Sequence, residues 1–416
     1  MDVSLNQYRD PQGNTFYLIE EGMFPVCLYL NGHLNTSFSE NADSTIDSYG
    51  SFLLFIYRYF KSEDIDMVER VASGEFFTKA EIDSFNTHCK FYADKPSLDT
   101  NVVQLTDKQL HNAIHITQHS ESQCSAFTVR MRLKHFLKYI QYVYICRHFD
   151  FNPPVSVSEK FSDFERLIQG YIDIISDSNE DTKDPFEKAI PDPLFFKMLE
   201  VIKPEHEENP WKGSKLRNQI MTDIFIETGI RAGCVLKLKL CDVKDEWSNP
   251  RLMVTRTPKD KTDTRKNRAS NKTKTLSASI SPELMKKLKW YIESIRSTFP
   301  QSESHDFIFI SEKGQTAGQP LTYGSLYNVI HKLGKAIQFE IHPHLLRHKW
   351  NEIFDDKATE AGHSMSEIDD LRKFAMGWSE SSTMAGLYNK FKIAKKISDL
   401  SSGRQNKTVP PQGDID

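Results

Sequence analysis

Three side chains near the C-terminal end of the chain have the types and spacing needed for chemistry at a phosphate. On a helix of about 3.6 residues per turn, His344 lies beside both Arg347 and His348. Arginine presents N–H donors in a planar fork that can hold two phosphate oxygens, and histidine can give or take a proton near neutral pH. This helical face therefore suits a pentavalent phosphorus, whose developing charge it would stabilise.

A tyrosine further along the chain is a candidate nucleophile. Tyr388 follows the histidine and arginine segment and has basic neighbours at Lys390 and Lys392. A phenol becomes a covalent nucleophile when nearby donors stabilise its oxyanion. Most tyrosines are half-buried aromatics, but the place of Tyr388 in this basic segment favours the functional interpretation.

Four segments, taken in order, resemble the tyrosine recombinases, the lambda-type integrase family. Residues 228–231, Thr-Gly-Ile-Arg, resemble the first arginine box, and residues 344–348 resemble the second. Gly377-Trp378 stands where a third box is expected, and residues 382–388 resemble the segment that carries the nucleophile. One box alone would be weak evidence for the family, whereas the whole series in the right order is strong evidence.

The resemblance implies a mechanism. Its implied phosphate ligands are Arg231, His344, Arg347 and Trp378. Tyr388 would attack the phosphorus, and the 3′ phosphate would stay on the tyrosine. Because one ester is exchanged for another, neither ATP, a metal nor another cofactor is required. His344 and His348 also have the spacing of metal ligands, but the glutamate of an HExxH motif is missing, which disfavours a metal site.

Two features depart from the family pattern. The family usually has an acidic residue three positions after the first arginine, and this position is Cys234 here. The spacing from Trp378 to Tyr388 is one residue longer than usual, and the spacing from Arg347 to Trp378 is longer by several. Trp378 would ordinarily be a core aromatic, but in the family such a ring nitrogen donates to the phosphate, so this residue can serve both purposes.

A strongly basic segment lies between two predicted strands. Residues 249–275 contain nine Lys or Arg and two Asp, a local net charge of +7. Most charge runs are solvated surfaces, but two flanking strands would hold this one as a finger. By resemblance, a lysine on such a hairpin protonates the leaving 5′ oxygen, a role that suits a lysine whose pKa is lowered by other cations. Lys272 fits the usual position best, and Lys261 is the alternative.

Composition bounds the rest of the interpretation. A chain of 416 residues is long for one core, so two domains plus extensions are expected. With 38% apolar and 26% charged residues, no long apolar run and no signal-peptide pattern, we expect a cytoplasmic, nucleoid-associated protein with no membrane partner. The six cysteines include no CxxC pair, which is typical of a reducing compartment and indicates no zinc site.

The predicted fold class is mainly α with a small antiparallel β-sheet, in the two-domain tyrosine-recombinase arrangement. The predicted parts are an N-terminal extension with short strands (1–38), a helical core-binding DNA domain (39–153), an acidic linker (154–188), a mixed α/β catalytic domain (189–400) and a flexible C-terminal tail (401–416).

In the N-terminal half, apolar runs predict strands at 15–19 and 26–30, and apolar periodicity predicts helices over 46–60 and 125–147. Further helix starts are expected at Thr78 and Thr106. The helix over 125–147 carries four basic residues that we predict to bind DNA: Arg130, Arg132, Lys134 and Lys138.

In the C-terminal half, the patterns predict helices over 194–202 and 216–230, with Gly229 at the C-cap of the second. Strands are predicted over 252–255, 275–280 and 307–310, and a helix begins at Pro282. The further predicted DNA contacts are Lys259, Lys261, Arg265, Lys274 and His348.

These expectations together indicate a site-specific DNA recombinase or integrase of a mobile genetic element. By resemblance, its partners are double-stranded DNA recombination sites, on which it forms a homo-tetramer with a dimer per site, and accessory DNA-bending proteins are further candidates. Two alternatives stay open: an enzyme of the type IB topoisomerase kind that relaxes DNA by the same chemistry, and a DNA-binding protein of this fold that has lost catalysis.

Overall fold

A computed structural model of the chain describes residues 3–91, 124–149, 152–175, 189–245, 249–257 and 259–382, together with 393, 394, 397, 400 and 401. The chain forms two compact units, Met1–Thr182 and Lys183–Asp416. The described elements are mainly helices with two three-stranded antiparallel sheets, which confirms the predicted fold class. None of the described helices is long and apolar enough to cross a membrane.

The first unit combines a small sheet with helices. Its strands are β1 (Val3–Arg9), β2 (Thr15–Glu21) and β3 (Phe24–Pro25), and its described helices are α1 (Leu28–Thr36), α2 (Asp43–Ser62), α3 (Met67–Ser73), α4 (Lys79–His88), α5 (Ala126–His148) and α6 (Val155–Ile174). The predicted helix start at Thr78 is confirmed, because this residue caps α4 in a capping box with Glu81. The start predicted at Thr106 lies outside the described residues.

Aromatic residues at helical spacing fill the core of this unit. Phe60 on α2, Phe85 on α4 and Phe136 on α5 are fully buried. Their ring centroids are 5.0 Å apart for Phe60 and Phe136 and 4.8 Å apart for Phe85 and Phe136. The apolar stripe of α5 thus faces this core, as its periodicity predicts.

The N-terminal residues are part of this core rather than a separate extension. Tyr17 is buried, and its hydroxyl donates to the carbonyl of Asp43 at 2.9 Å. The amide of Asn31 on α1 exchanges hydrogen bonds with the backbone of Ile19. The strand predicted at 26–30 is wrong, because Leu28 begins α1, and an apolar run of this length does not distinguish a strand from a helix.

The predicted linker also begins with a structured element. Most of its N-terminal half is the helix α6, which buries Phe164, Ile168 and Ile172 at spacings of four. These three residues supply the apolar face that a helix needs to pack. The prediction gave too much weight to acidic composition, and residues 176–188 lie outside the described part of the chain.

The second unit contains seven described α-helices and one small sheet. The helices are α7 (Asp192–Val201), α8 (Lys215–Thr228), α9 (Ala232–Lys237), α10 (Pro282–Ser294), α11 (Tyr323–Ile337), α12 (Pro343–Glu360) and α13 (Met365–Met376), and the strands are β4 (Val243–Lys244), β5 (Arg251–Val254) and β6 (Leu276–Ser279). The predicted hairpin is confirmed as the β5–β6 pair, in which Val254 faces Leu276. The strand predicted at 307–310 is instead two isolated bridges, Lys239 with Phe307 and Ile310 with Pro320.

Two histidines are buried in the first unit. The rings of His33 and His135 are almost inaccessible to solvent and lie among the rings of Phe38, Tyr49 and Tyr142. Burial, together with the charge of Lys138, lowers the pKa of each histidine to about 4. Protonation of either ring is therefore unfavourable in the folded protein.

We expect the first unit to lose stability as the pH falls from about 6.5 to about 4, because the unfolded chain binds these protons first. The loss is up to roughly 3 kcal/mol per histidine. Urea unfolding measured across this pH range tests the expectation, with His135→Phe reducing the pH dependence and the exposed His331→Phe leaving it unchanged. Equal pH dependence in the native chain and His135→Phe would contradict it.

Candidate active site

The first arginine box is a helix end that requires glycine. Gly229 ends α8 in the left-handed conformation with a φ of 63°. A Cβ atom on Gly229 would lie 2.8 Å from the ring of Trp350 and 2.9 Å from Met376. The chain then turns through buried Ile230 into Arg231, which is the half-buried N-cap residue of α9. The predicted C-cap and the position of Arg231 at a helix end are confirmed.

The second box lies at the start of α12. His342 caps this helix, and its Nδ1 accepts a hydrogen bond from the backbone N–H of Leu345 at 3.2 Å. Arg347, one turn into the helix, is only 2% exposed, and its Nη1 donates to the carbonyl oxygen of Gly229 at 2.7 Å. This hydrogen bond joins the two predicted boxes, 118 residues apart in sequence.

The third box adjoins the second. Gly377 ends α13 in the left-handed conformation, and Trp378 follows as a buried residue. The guanidinium carbon of Arg347 lies 5.6 Å from the centroid of the Trp378 ring, within the range of a cation–π contact. Trp378 also packs in a small apolar cluster with Met376 and Trp350. The packing expected of Trp378 is thus present, and donation by its ring nitrogen to a phosphate stays a prediction.

The end of the basic loop reaches this box. The backbone N–H of Lys274 donates to the carbonyl oxygen of Gly377 at 3.0 Å. A Cβ atom on Gly377 would lie 2.9 Å from the carbonyl oxygen of Lys274 and 3.3 Å from Oγ1 of Thr273. Lys272 and Lys274 are both exposed in this segment. Of the two candidate lysines, Lys272 is thus in the part of the loop that is bonded to the Gly377-Trp378 box.

The position expected to carry an acid holds a neutral group. Cys234 is buried, and burial raises the pKa of its thiol despite the opposing charges of Arg231 and Arg347. Both guanidinium groups are thus close enough to act on one buried sulfur atom. Its Sγ donates to Oδ1 of Asn271 at 3.5 Å, so this position contacts the basic loop.

The histidines of the second box are more accessible than the arginine between them. His344 is exposed and His348 is half-buried, and their ring centroids are 4.8 Å apart in an edge-to-face arrangement. This confirms that the spacing brings the two rings together on one helical face. Within the described residues, no group of three His, Cys, Asp or Glu side chains is arranged to share a metal ion.

Arg265 does not match its predicted role as a DNA contact. Its guanidinium is buried, pairs with the carboxylate of Asp263 at 2.8 Å and donates to the carbonyl oxygens of Leu236 and Leu321. These bonds hold the basic loop against the body of the unit, so the side chain is used inside the protein. The other predicted loop contacts, Lys259, Lys261 and Lys274, are exposed.

The predicted DNA contacts on α5 also include both buried and exposed side chains. Arg132 is buried, donates to the carbonyl oxygens of Cys89 and Phe91 and lies over the ring of Phe55, so its prediction as a DNA contact is corrected. Arg130 is half-buried and donates to the carbonyl oxygen of Ile175. Lys134 and Lys138 are exposed, one turn apart on the same face.

Tyr388 lies outside the described residues, as do Lys390 and Lys392. Its assignment as the nucleophile stays a prediction from the sequence. Two residues that the sequence did not single out contribute to the site: His342 caps α12, and Asn271 binds Cys234. An Asn a few residues before a strand is a turn signal that could have pointed to Asn271.

Comparison with known proteins agrees with this arrangement. Residues 198–392 match the sequence profile of the phage integrase family. This part of the chain belongs to the phage integrase family. The matched range of this integrase domain includes every predicted catalytic position from Arg231 to Tyr388. The family expected from the boxes is therefore confirmed.

Curated relatives match a limited part of the chain. Transposase A from transposon Tn554 of Staphylococcus aureus is 30% identical over 132 residues, which are 32% of this chain. The match spans 34% of that protein, so the chain aligns with about a third of the length of the curated relatives.

Several solved structures are similar at low sequence identity. XerH site-specific recombinase, bound to a palindromic difH substrate, is 15% identical, with 86% of this chain and 79% of that chain covered and a TM-score of 0.49. A lambda integrase dimer bound to a COC′ core site is 13% identical, with 86% and 95% covered and a TM-score of 0.39. The Tn1549 transposon integrase with transposon right end DNA is 14% identical, with 70% and 90% covered and a TM-score of 0.35.

We expect Gly229→Ala to destabilise the integrase domain by roughly 2–5 kcal/mol, since left-handed strain costs about 1–2 kcal/mol and overpacking against Trp350 adds about 1–3 kcal/mol. The matched control is Gly362→Ala, where φ is 84° but nothing lies within 4 Å of the added Cβ. Urea unfolding should show the smaller, strain-only loss there. Equal losses in both variants would contradict the close contact between α8 and α12.

Proposed function

We propose that this protein is a site-specific DNA recombinase that cuts and rejoins strands through a 3′-phosphotyrosine intermediate. The observation that carries the proposal is the bond between Arg347 Nη1 and the Gly229 carbonyl oxygen, which ties the two arginine boxes together beside Trp378. Two guanidinium groups and one indole at a single phosphate would stabilise a charged transition state.

In the proposed reaction, Oη of Tyr388 attacks the phosphorus, forming the O–P bond while the bond from phosphorus to the 5′ oxygen breaks. His344, exposed at the start of α12, accepts the phenol proton. The ammonium group of Lys272 gives a proton to the departing 5′ oxygen, which leaves as an alcohol. A 5′ hydroxyl from a second strand reverses the step, and neither ATP nor a metal is consumed because an ester replaces an ester.

DNA would contact basic residues in both units that are exposed or half-buried. In the first unit the candidates are Arg130, Lys134 and Lys138, and in the second they are Lys259, Lys261, Lys274 and His348. Contacts of this kind neutralise phosphates and release counterions, so affinity should decrease steeply with salt. They would position the protein on a recombination site without reading its sequence.

The assembly we propose is a homo-tetramer on two DNA sites, with a dimer per site and with accessory DNA-bending proteins as further candidate partners. Its support within this chain is an exposed apolar stripe near the C-terminal end. Ile393, Ile397 and Leu400 are spaced by four and three residues and are more than half exposed. Such spacing gives one helical face, which a neighbouring protomer would cover.

The biological role that we propose is movement of a mobile genetic element in the cytoplasm, at the nucleoid. Its support is the similarity to a protein named as the transposase A of transposon Tn554. The DNA that flanks the gene tests this assignment, because a repeat resembling an attachment site should lie beside it.

One observation favours a second candidate, a DNA-binding protein of this fold without catalysis. Cys234 places a neutral thiol where the family usually has an acid, and any orienting role of that acid must be supplied elsewhere. The two candidates differ in whether a covalent bond to DNA forms at all.

We expect the native chain to form a covalent adduct with a nicked suicide duplex carrying a site selected from a randomised pool by the purified protein. Tyr388→Phe should abolish the adduct, because it lacks the attacking oxygen. Tyr327→Phe, which alters an exposed tyrosine outside the site, should retain it. Denaturing gel electrophoresis separates adduct from free DNA. An adduct that survives in Tyr388→Phe would refute the assigned nucleophile, and none in the native chain would favour the binding protein.

A second expectation concerns the exposed face of α5. Lys134→Ala combined with Lys138→Ala should reduce the slope of log affinity against log salt concentration by about 1.8, or roughly 0.9 per phosphate contact. Lys79→Ala is the matched control, since Lys79 is exposed but lies 3.6 Å from the carboxylate of Asp83. Fluorescence anisotropy with labelled duplex over a salt series measures both. An unchanged slope in the double variant would exclude this face from the DNA interface.

A further inference from the structure

A buried asparagine occupies the junction between the basic loop and the helix that begins at Arg231. Asn271 is 2% exposed and directly precedes Lys272 in the chain. Its side chain faces groups from both sides of this junction. Buried amides of this kind are costly unless their hydrogen bonds are made, so the contacts of Asn271 constrain its surroundings.

The amide of Asn271 closes the turn around Lys272. Its Oδ1 accepts from the backbone N–H of Thr273 at 3.0 Å and from Oγ1 of Thr273 at 2.7 Å. Its Nδ2 donates to the carbonyl oxygen of Lys274 at 3.3 Å. These hydrogen bonds of Asn271 to Thr273 and Lys274 fix the backbone on the C-terminal side of Lys272. The side chain of Lys272 is exposed.

The same amide is held on the side of the first arginine box. The thiol of Cys234, three residues after Arg231, donates to Oδ1 of Asn271 at 3.5 Å. Close approach of the two backbones supports this contact, because a Cβ atom on Gly233 would lie 2.4 Å from the carbonyl oxygen of Ser270. A side chain at position 233 would therefore push the loop away from α9.

The other side of the turn is tied to the third box. The N–H of Lys274 donates to the carbonyl oxygen of Gly377, directly before Trp378. Asn271 is thus the shared element of a chain of contacts that runs from Cys234, through the turn around Lys272, to Gly377. Arg231, Lys272 and Trp378 each adjoin one point of that chain.

We propose that Asn271 is a positioning residue that orients Lys272 toward the leaving 5′ oxygen, with the Cys234 thiol holding the amide in place. The inference rests on the proposed function, since it assumes that Lys272 transfers its proton to that oxygen as the bond from phosphorus to oxygen breaks. In this role Asn271 acts through the backbone of Lys272 and is buried away from solvent. The alternative is a purely structural role, in which the Asn271 amide only stabilises the hairpin.

Replacing the leaving oxygen by sulfur separates these two roles. A thiolate departs without a proton, because a thiol has a pKa of about 8.5 and an alcohol is a far weaker acid. A defect in delivering a proton should therefore disappear on a suicide duplex with sulfur at the 5′ bridging position. A defect in overall folding or in DNA binding would slow cleavage of both duplexes.

The experiment compares the native chain with Asn271→Ala, using Asn267→Ala as the control at an exposed asparagine of the same loop. On the ordinary duplex we expect Asn271→Ala to form the Tyr388 adduct about 100-fold more slowly, at the lower end of what general acid catalysis contributes. On the sulfur-substituted duplex its rate should return to within about threefold of the native chain. Asn267→Ala should behave like the native chain on both.

A second pair of variants tests the thiol if Asn271→Ala does not fold. Cys234→Val removes the donor and should show a smaller loss, of about three- to tenfold, confined to the ordinary duplex, whereas Cys234→Ser keeps a donor and should lose less. Equal slowing on both duplexes, or no slowing, would overturn the positioning role while leaving the proposed function intact. No adduct from the native chain would instead refute the proposed function itself.

Discussion

The hydrogen bond from Arg347 to the carbonyl oxygen of Gly229 is the contact on which the site depends. It joins the C-terminal end of α8 to the first turns of α12, and it is made by a guanidinium that is almost completely buried. Burying a charge is unfavourable unless bonds and nearby groups compensate for it. The position of this arginine is therefore tied to the backbone of the first box, two residues before Arg231.

The packing around this bond explains why small residues occur at two helix ends. Gly229 and Gly377 both adopt the left-handed conformation. A Cβ atom added to either glycine would lie within 3 Å of an atom from another segment. The first approaches Trp350 on α12, and the second approaches the backbone of Lys274 in the hairpin. Three segments distant in sequence thus converge through glycine backbones, and the guanidinium carbon of Arg347 lies 5.6 Å from the centroid of the Trp378 ring. A neutral Cys234 thiol among them adds no negative charge of its own to offset the cations.

Much of this architecture could be predicted because it follows local rules. The capping box at Thr78, the glycine C-cap at 229 and the paired strands around the basic loop all depend on residues adjacent in sequence. The convergence of the boxes was expected only through family resemblance, and the Arg347 to Gly229 bond now gives it a physical basis. The assignment of Tyr388 as the nucleophile stays a prediction from the sequence, because that residue lies outside the described part of the chain.

The errors have a common physical origin, which is that local sequence does not reveal which side chain faces inward. Arg132 and Arg265 belong to basic stretches that also contain exposed lysines, yet each arginine is buried against backbone carbonyl groups. Likewise, Leu28 begins a helix after an apolar run that resembles a strand. The local bonds of Asn271 to Thr273 and Lys274 follow from a turn, whereas its contact with Cys234 is tertiary and cannot be read from neighbouring residues.

A crystal structure of the Tyr388→Phe variant bound to its DNA site would test the central claim most directly. We predict that the guanidinium groups of Arg231 and Arg347 and the Nε1 atom of Trp378 all lie within about 3.2 Å of the non-bridging oxygens of one phosphate. Two arginines bound to different phosphates would contradict this prediction. A DNA backbone that stays distant from the Arg347 to Gly229 contact would also contradict it.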